Sequence, residues 1–153
     1  MILYRLSKAL FCNDLSGKGA ELAGGRWNSK GNALLYTGET RALCTAEIAV
    51  HTPLGIVPAD YYLSYLEIPD NLEIVALNME QLPKDWRSFP HSGSTQLIGD
   101  QFIKNKNSLL LKVPSAVVQG EFNYLINPGH PDIYKVRLIK NEQFLFDERL
   151  FVK

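Results

Sequence analysis

Apolar residues alternate at every second position along most of this chain. They fall at helical spacing in only two places, and that imbalance limits the folds open to it. Strands are expected over residues 1–6, with Ile2, Tyr4 and Leu6 alternating, and over 33–37, 61–68 and 72–77. More follow at 108–113, 123–126, 133–139 and 143–152, the last two separated by Lys140-Asn141-Glu142. One helix is expected from Arg41 to His51, capped by Thr40 and stopped by Pro53. Another runs from 94 to about 104, with Leu97, Ile98 and Phe102 turned inward. This order lacks the strand–helix alternation of a doubly wound sheet. The expected class is α+β, a bent or split, mostly antiparallel sheet with two or three flanking helices.

Between the first two strands lies a connection of about 25 residues, long enough that loops of its kind in compact domains are usually functional or disordered. Its centre is Gly24-Gly25-Arg26-Trp27-Asn28-Ser29-Lys30-Gly31. The three glycines permit backbone geometries closed to other residues and close approach of a ligand. Arg26 brings a planar fork of donors suited to phosphate or carboxylate. The stretch is either an anion-gripping loop at the mouth of a site or a Gly-rich connection with Trp27 tucked into the core.

Composition narrows the classes. The 153 residues make one domain, 1–153, large enough to bury a core without staples. Sixteen basic residues balance 16 acidic ones, so no long-range field draws the chain to nucleic acid or an anionic membrane. Two cysteines, Cys12 and Cys44, with no C-x-x-C, read as small buried hydrophobes. No leader pattern and no membrane-length apolar run is present, so a soluble, intracellular protein is expected.

Polar residues in apolar settings narrow the chemistry. On the first helix Leu43, Ala46, Glu47 and Val50 share a face, which puts a carboxylate in an apolar stripe. Glu47 either finds a core partner or the helix edge, or faces a cleft as a desolvated carboxylate. Arg26, Tyr36, Ser115 and Asn127 complete the set. His51, His91 and His130 have no helical ligand spacing, and no metal is expected. Ser115 lacks a nucleophile elbow, no Walker loop is present, and Gly24-Gly25 lacks a dinucleotide-fingerprint context. An arginine, a carboxylate and hydroxyl and amide donors suit cleavage of the N-glycosidic bond of NAD. The diphosphate asks for a guanidinium, and the ribose turns oxocarbenium-like as the neutral nicotinamide leaves.

Several segments, taken in order, resemble the RES domain family. They are Tyr4-Arg5-Leu6, Gly17-Lys18-Gly19-Ala20, Gly24-Gly25-Arg26-Trp27-Asn28 with Gly31, Leu35-Tyr36-Thr37 and Ala46-Glu47. Val113-Pro114-Ser115, Asn123-Tyr124-Leu125, and Asn127-Pro128 with His130-Pro131 complete the series. The family's Arg, Glu and Ser correspond to Arg26, Glu47 and Ser115, its active-site Tyr to Tyr36, and the Asn of its Asn-Pro motif to Asn127. Gly129 departs from the basic residue that many members carry there. The resemblance implies a fold like that of ADP-ribosyltransferase toxins. It also implies consumption of NAD in the bacterial cytoplasm by hydrolysis, phosphorolysis or ADP-ribosyl transfer. Arg26, Tyr36, Ser115 and Asn127 are then expected to hold NAD, and Arg26, Tyr36, Glu47 and Ser115 to serve catalysis. The implied partner is an antitoxin with an Xre-type helix-turn-helix domain, in a higher-order complex. A non-catalytic NAD- or nucleotide-binding module stays open beside these readings.

Overall fold

The computed structural model describes residues 1–153. Its strands are β1 (Ile2–Lys8), β2 (Leu35–Gly38), β3 (Tyr61–Glu67), β4 (Ile74–Ala76), β5 (Leu110–Pro114), β6 (Phe122–Ile126) and β7 (Arg137–Phe144). They form one seven-stranded sheet in the order β4-β5-β6-β2-β1-β3-β7, antiparallel except for the β4–β5 pair. Three helices accompany it, α1 (Lys18–Ala23), α2 (Arg41–His51) and α3 (Gly93–Asn105). No helix is long and apolar enough to cross a membrane.

The centre of the sheet is buried on both faces. One core gathers Leu3, Leu35, Leu66, Leu110 and Ile126; the other gathers Trp27, Leu34, Leu111, Val113 and Leu125. Sequence neighbours divide between them, Leu110 from Leu111 and Leu125 from Ile126, as alternation of side chains across a strand requires. Ile98, Phe102 and Ile103 of α3, with Trp86, cover the second core.

The sheet is whole but not evenly joined. β1 pairs with β3 along its full length, from Ile2↔Glu67 to Lys8↔Tyr61. β2 pairs with β6 along its full length, from Leu35↔Ile126 to Gly38↔Asn123. Between β1 and β2 there is a single register pair, Tyr4↔Gly38. Past it the strands part, and the opening between them positions the site. α2 starts directly after β2. Thr40 Oγ1 accepts from Leu43 N at 3.0 Å, a cap of the kind that contributes about 0.5–2 kcal/mol. Cys44 Sγ, reaching Tyr4 O at 3.3 Å, ties this helix to β1.

Several local expectations change. The long connection contains α1, which starts after Gly17 in the left-handed region at φ 73°. Residues 131–135 wind into a 3-10 turn before β7, with His130 Nδ1 accepting from Asp132 N at 3.0 Å. Lys140-Asn141-Glu142 does not break the chain, because β7 is an edge strand and its polar residues face water or pair with β3. No strand follows β7; Glu148–Leu150 is another 3-10 turn. Val50 and Leu97 are exposed, while Thr95 and Gly99 occupy the inner face of α3. On β1 the buried positions are Leu3 and Ser7.

Candidate active site

The Gly24–Gly31 loop is fixed from behind by one face of α3. Thr95 Oγ1 donates to Arg26 O at 2.6 Å, and Gln96 Nε2 donates to Gly25 O and Asn28 O at 3.0 and 3.1 Å. Asp100 accepts from Ser29 N and Ser29 Oγ at 3.0 and 2.6 Å. A Cβ on Gly99 would sit 1.6 Å from Trp27 O, so helix and loop touch backbone to backbone. Trp27 is 3% exposed and anchors the loop in the second core. The indole is core, as one of the two sequence readings had it, while Arg26 beside it stays partly exposed and Asn28 is buried.

Tyr36, on β2, reaches into the same loop. Its hydroxyl donates to Asn28 Oδ1 at 2.7 Å and accepts from Trp27 N at 3.0 Å. A Cβ on Gly25 would meet that hydroxyl at 2.7 Å, so glycine is what lets it approach. Burial pushes the Tyr36 pKa up, and the phenol stays protonated. Asn28 is wholly buried, donating to Ala20 O and Asn32 O at 2.8 and 2.9 Å.

Arg26 projects from the loop. Its Nη1 donates to Trp86 O and Ser88 O at 2.7 and 2.9 Å, while Nε and Nη2 make no hydrogen bond within the chain. Burial lowers its pKa, and the charges of Glu47 and Tyr36 oppose that shift. Glu47, on α2, is half-buried, and desolvation raises its pKa. Ser115, His51, Asn123 and Arg26 work against the rise, in that order. Ser115 Oγ donates to Glu47 Oε1 at 3.1 Å and accepts from Val117 N and Val118 N at 3.1 and 3.0 Å. Ser115 follows β5 and is 2% exposed, so its hydroxyl is held by the turn and aimed at the carboxylate.

Arg26, Tyr36, Glu47 and Ser115 thus share one region. Asn127 does not join them. It lies four residues along β6 from Asn123, about 13 Å at 3.3 Å per residue. Its amide donates to Ile103 O at 3.0 Å and its Oδ1 accepts from Gly129 N at 3.0 Å. Asn127 closes the C-terminal end of α3, and that demand for partners explains an Asn before Pro128.

Where β1 and β2 part, a cleft of about 230 Å³ opens. Arg5, Leu6 and Ser7 form one side, Leu34, Leu35 and Tyr36 the other, with Phe11, Gly17, Gly19 and Ala20. Arg5 Nη1 donates to Phe11 O and Asp14 O at 3.1 and 3.0 Å, which folds the following turn back onto β1. Sequence reasoning quoted Arg5, Asn28 and Asn123 within motifs but gave none of them a role. An arginine on a central strand was a usable signal for the first; the other two depend on register and loop closure. No three His, Cys, Asp or Glu side chains converge as a metal site would require. The arrangement presents a guanidinium with Nε and Nη2 left without protein partners, a desolvated carboxylate with a fixed hydroxyl, and a cleft between β1 and β2.

A model of the RES domain matches residues 2–147. The chain is 38% identical over 143 residues to a "Prs ADP-ribosylating toxin" from Sphingobium sp. (strain YBL2), covering 92% of this chain and 89% of that protein. It is 36% identical over 152 residues to a "Toxin Res" from Photorhabdus laumondii, covering 98% and 97%. The fold matches a chain in the crystal structure of the M. tuberculosis MbcT–MbcA toxin–antitoxin complex, with a TM-score of 0.72 at 21% identity, over 94% of this chain and 84% of that one. The α+β sheet with its parted strands, the loop built around Arg26 and the matches over nearly all of its length agree: the chain belongs to the RES domain family.

Proposed function

We propose that this protein is the toxin of a toxin–antitoxin pair and that it cleaves the nicotinamide–ribose bond of NAD. The observation that carries the reading is Glu47, a desolvated carboxylate oriented by Ser115 within the field of Arg26. Nε and Nη2 of Arg26 take the diphosphate. Tyr36 lines the ribose. Glu47 faces the C1′ carbon as positive charge moves onto the sugar. The C1′–N bond breaks with its electron pair returning to the nicotinamide ring, which leaves neutral and needs no general acid. An oxygen of water or phosphate bonds to C1′ and gives up its proton to solvent. Electrostatic stabilisation of the developing cation is the main contribution asked of the protein.

A second acceptor is a protein side chain. The Sphingobium relative, named an ADP-ribosylating toxin, favours that alternative. Purified protein incubated with NAD, with and without phosphate and with a lysate, separates the outcomes. Free nicotinamide with ADP-ribose or its 1-phosphate supports cleavage to small products. Label on a protein band supports transfer. Binding of NAD without release of nicotinamide would leave a non-catalytic module.

A toxin of this kind needs a blocker, and the MbcT–MbcA neighbour supports an antitoxin as partner. We take it to be an Xre-type helix-turn-helix protein encoded alongside, meeting this chain in the cytoplasm and covering the Arg26 region. DNA contact then falls to the antitoxin, consistent with the balance of 16 basic and 16 acidic residues here. Co-expression of the two followed by purification tests the complex. A partner that leaves Arg26 and Glu47 open to solvent would contradict it.

A further inference from the structure

Arg26 is held from two sides. Its backbone belongs to the loop that α3 fixes through Thr95 and Gln96. Its guanidinium leans on a different segment, with Nη1 donating to Trp86 O and Ser88 O at 2.7 and 2.9 Å. A guanidinium is a rigid planar fork, so any shift of those two carbonyls turns all of its donors together. The aim of the unpartnered Nε and Nη2 is therefore set by residues 86–88, about 60 positions away in the chain.

The two carbonyls flank Arg87. Trp86 N donates to Pro83 O and Ser88 N to Asp85 O, each at 3.0 Å, which makes residues 83–88 a turn. Its near end is anchored: the Trp86 side chain packs against the second core, and Asp85 accepts from Ser94 Oγ at 2.8 Å. Its far end is not anchored by burial, since Arg87, Ser88, Phe89 and Pro90 are all exposed. Apart from Arg26, the one distant residue that these four hydrogen-bond is Ala116, whose carbonyl accepts from Arg87 Nε at 3.0 Å. Ala116 is a fixed post. It follows Ser115, whose N donates to Glu121 O at 2.8 Å and whose hydroxyl accepts from Val117 N and Val118 N. That turn is closed by its own bonds and does not need Arg87.

Taking the ligand from the NAD reading above, we infer that Arg87 is a positioning residue for Arg26. It straps the far end of the 83–88 turn to the turn after β5, across the site, and thereby aims the free donors of Arg26 at an anion. The strap acts on binding. The Glu47–Ser115 pair, held by its own turn, is left unchanged.

ADP-ribose carries the diphosphate of NAD and has no nicotinamide bond to cleave, so it reads the guanidinium apart from the chemistry. Calorimetric titration of ADP-ribose and steady-state NAD turnover are measured for the native protein, Arg87→Ala, Arg87→Lys, Arg26→Ala and the double alanine variant. Arg87→Ala should bind ADP-ribose about three- to tenfold more weakly, as loss of one hydrogen bond implies. Its KM for NAD should rise by the same factor at native kcat, because binding shared by substrate and transition state acts on KM. Its melting temperature should stay near native, since the lost bond is exposed. Arg87→Lys keeps a donor for Ala116 O and should restore most of the affinity. In the Arg26→Ala protein, adding Arg87→Ala should change neither affinity nor kcat/KM, because no guanidinium is left to aim. An undiminished loss in that background would place Arg87 on the ligand itself and overturn the inference. So would an unchanged affinity in Arg87→Ala, or a fall in kcat at native affinity, which would make the contact a support of the Ser115 turn. A native protein that binds ADP-ribose but releases no nicotinamide from NAD would remove the cleavage reading, and the affinity series alone would then decide the strap. A native protein that does not bind ADP-ribose would remove both.

Discussion

Ser115 Oγ donates to Glu47 Oε1 at 3.1 Å while accepting from the backbone N–H of Val117 and Val118. One hydroxyl therefore closes the turn after β5 and orients the carboxylate on α2. The donor and its direction are set by the fold, before any substrate binds.

Removing that hydroxyl should affect both roles. Ser115→Ala leaves two part-buried N–H groups without their acceptor, and losses of this kind cost up to about 1–3 kcal/mol. For a chain of this size each kcal/mol moves the melting temperature by about 2–4 °C. Calorimetric melting measures the first role. A lower kcat, with Glu47 free to rotate, measures the second. An unchanged melting temperature would show that the turn does not depend on this hydroxyl.

The raised pKa of Glu47 has a sign that can be tested. Its carboxylate must be ionised to face a cation, so activity should fall as pH drops through the raised value. That acid limb should lie above the ordinary glutamate value of about 4.3. Ser115 opposes the rise, so the limb should move to higher pH in Ser115→Ala. For stability, a carboxyl with a raised folded pKa favours the folded state below its unfolded pKa and loses that contribution as pH rises through the folded one. Glu47→Gln should therefore be at least as stable as the native protein at neutral pH, with the advantage gone below the ordinary carboxylate range. Denaturant melts at several pH values check this.

The contact between α3 and the Arg26 loop predicts a contrast between two glycines of one helix. A Cβ at Gly99 would lie 1.6 Å from Trp27 O, whereas at Gly93 nothing lies within 4 Å. Gly99→Ala must push the helix off the loop, with a destabilisation of about 1–3 kcal/mol or more and a displaced Arg26. Gly93→Ala should leave melting and activity near native. Parallel melts and NAD titrations of the two variants test it.

Arg26 holds its own loop as well as offering donors to an anion. On the proposed function, a diphosphate contact of Arg26 would be the same in substrate and transition state, so Arg26→Ala should raise KM with little change in kcat. Loss of charge-assisted hydrogen bonding worth about 1.5–3 kcal/mol corresponds to roughly a 10- to 150-fold rise. The melting temperature should also fall, because Trp86 O and Ser88 O lose their donor. A fall in kcat with native KM would contradict the clamp.

Much of this was legible in the sequence, for identifiable reasons. α2 matches expectation because Thr40 and Pro53 mark its ends locally. β7 was cut in two because Lys140-Asn141-Glu142 looks like a turn when the pairing that carries it, with Leu63, Ser64 and Tyr65, is remote in sequence. The alternation of Ile2, Tyr4 and Leu6 marked β1 as a strand but not its buried side: Leu3 and Ser7 are the buried positions, because a strand inside a sheet with cores on both faces need not bury its more apolar side. Arg26, Tyr36, Glu47 and Ser115 carried functional signals in their residue types. Asn127 carried the same signal and serves the end of α3. The cleft was out of reach, since it exists only because β1 and β2 pair once and then part.

The central claim is that Glu47 acts on the cation that forms as the nicotinamide–ribose bond breaks. Steady-state NAD turnover of Glu47→Gln, measured beside its calorimetric affinity for NAD, tests it most directly. The account predicts that the variant binds NAD with near-native affinity and turns it over about 10²–10³-fold more slowly, the loss expected for a preorganised electrostatic contact. A near-native kcat would make Glu47 a structural carboxylate held by Ser115 and would contradict the mechanism.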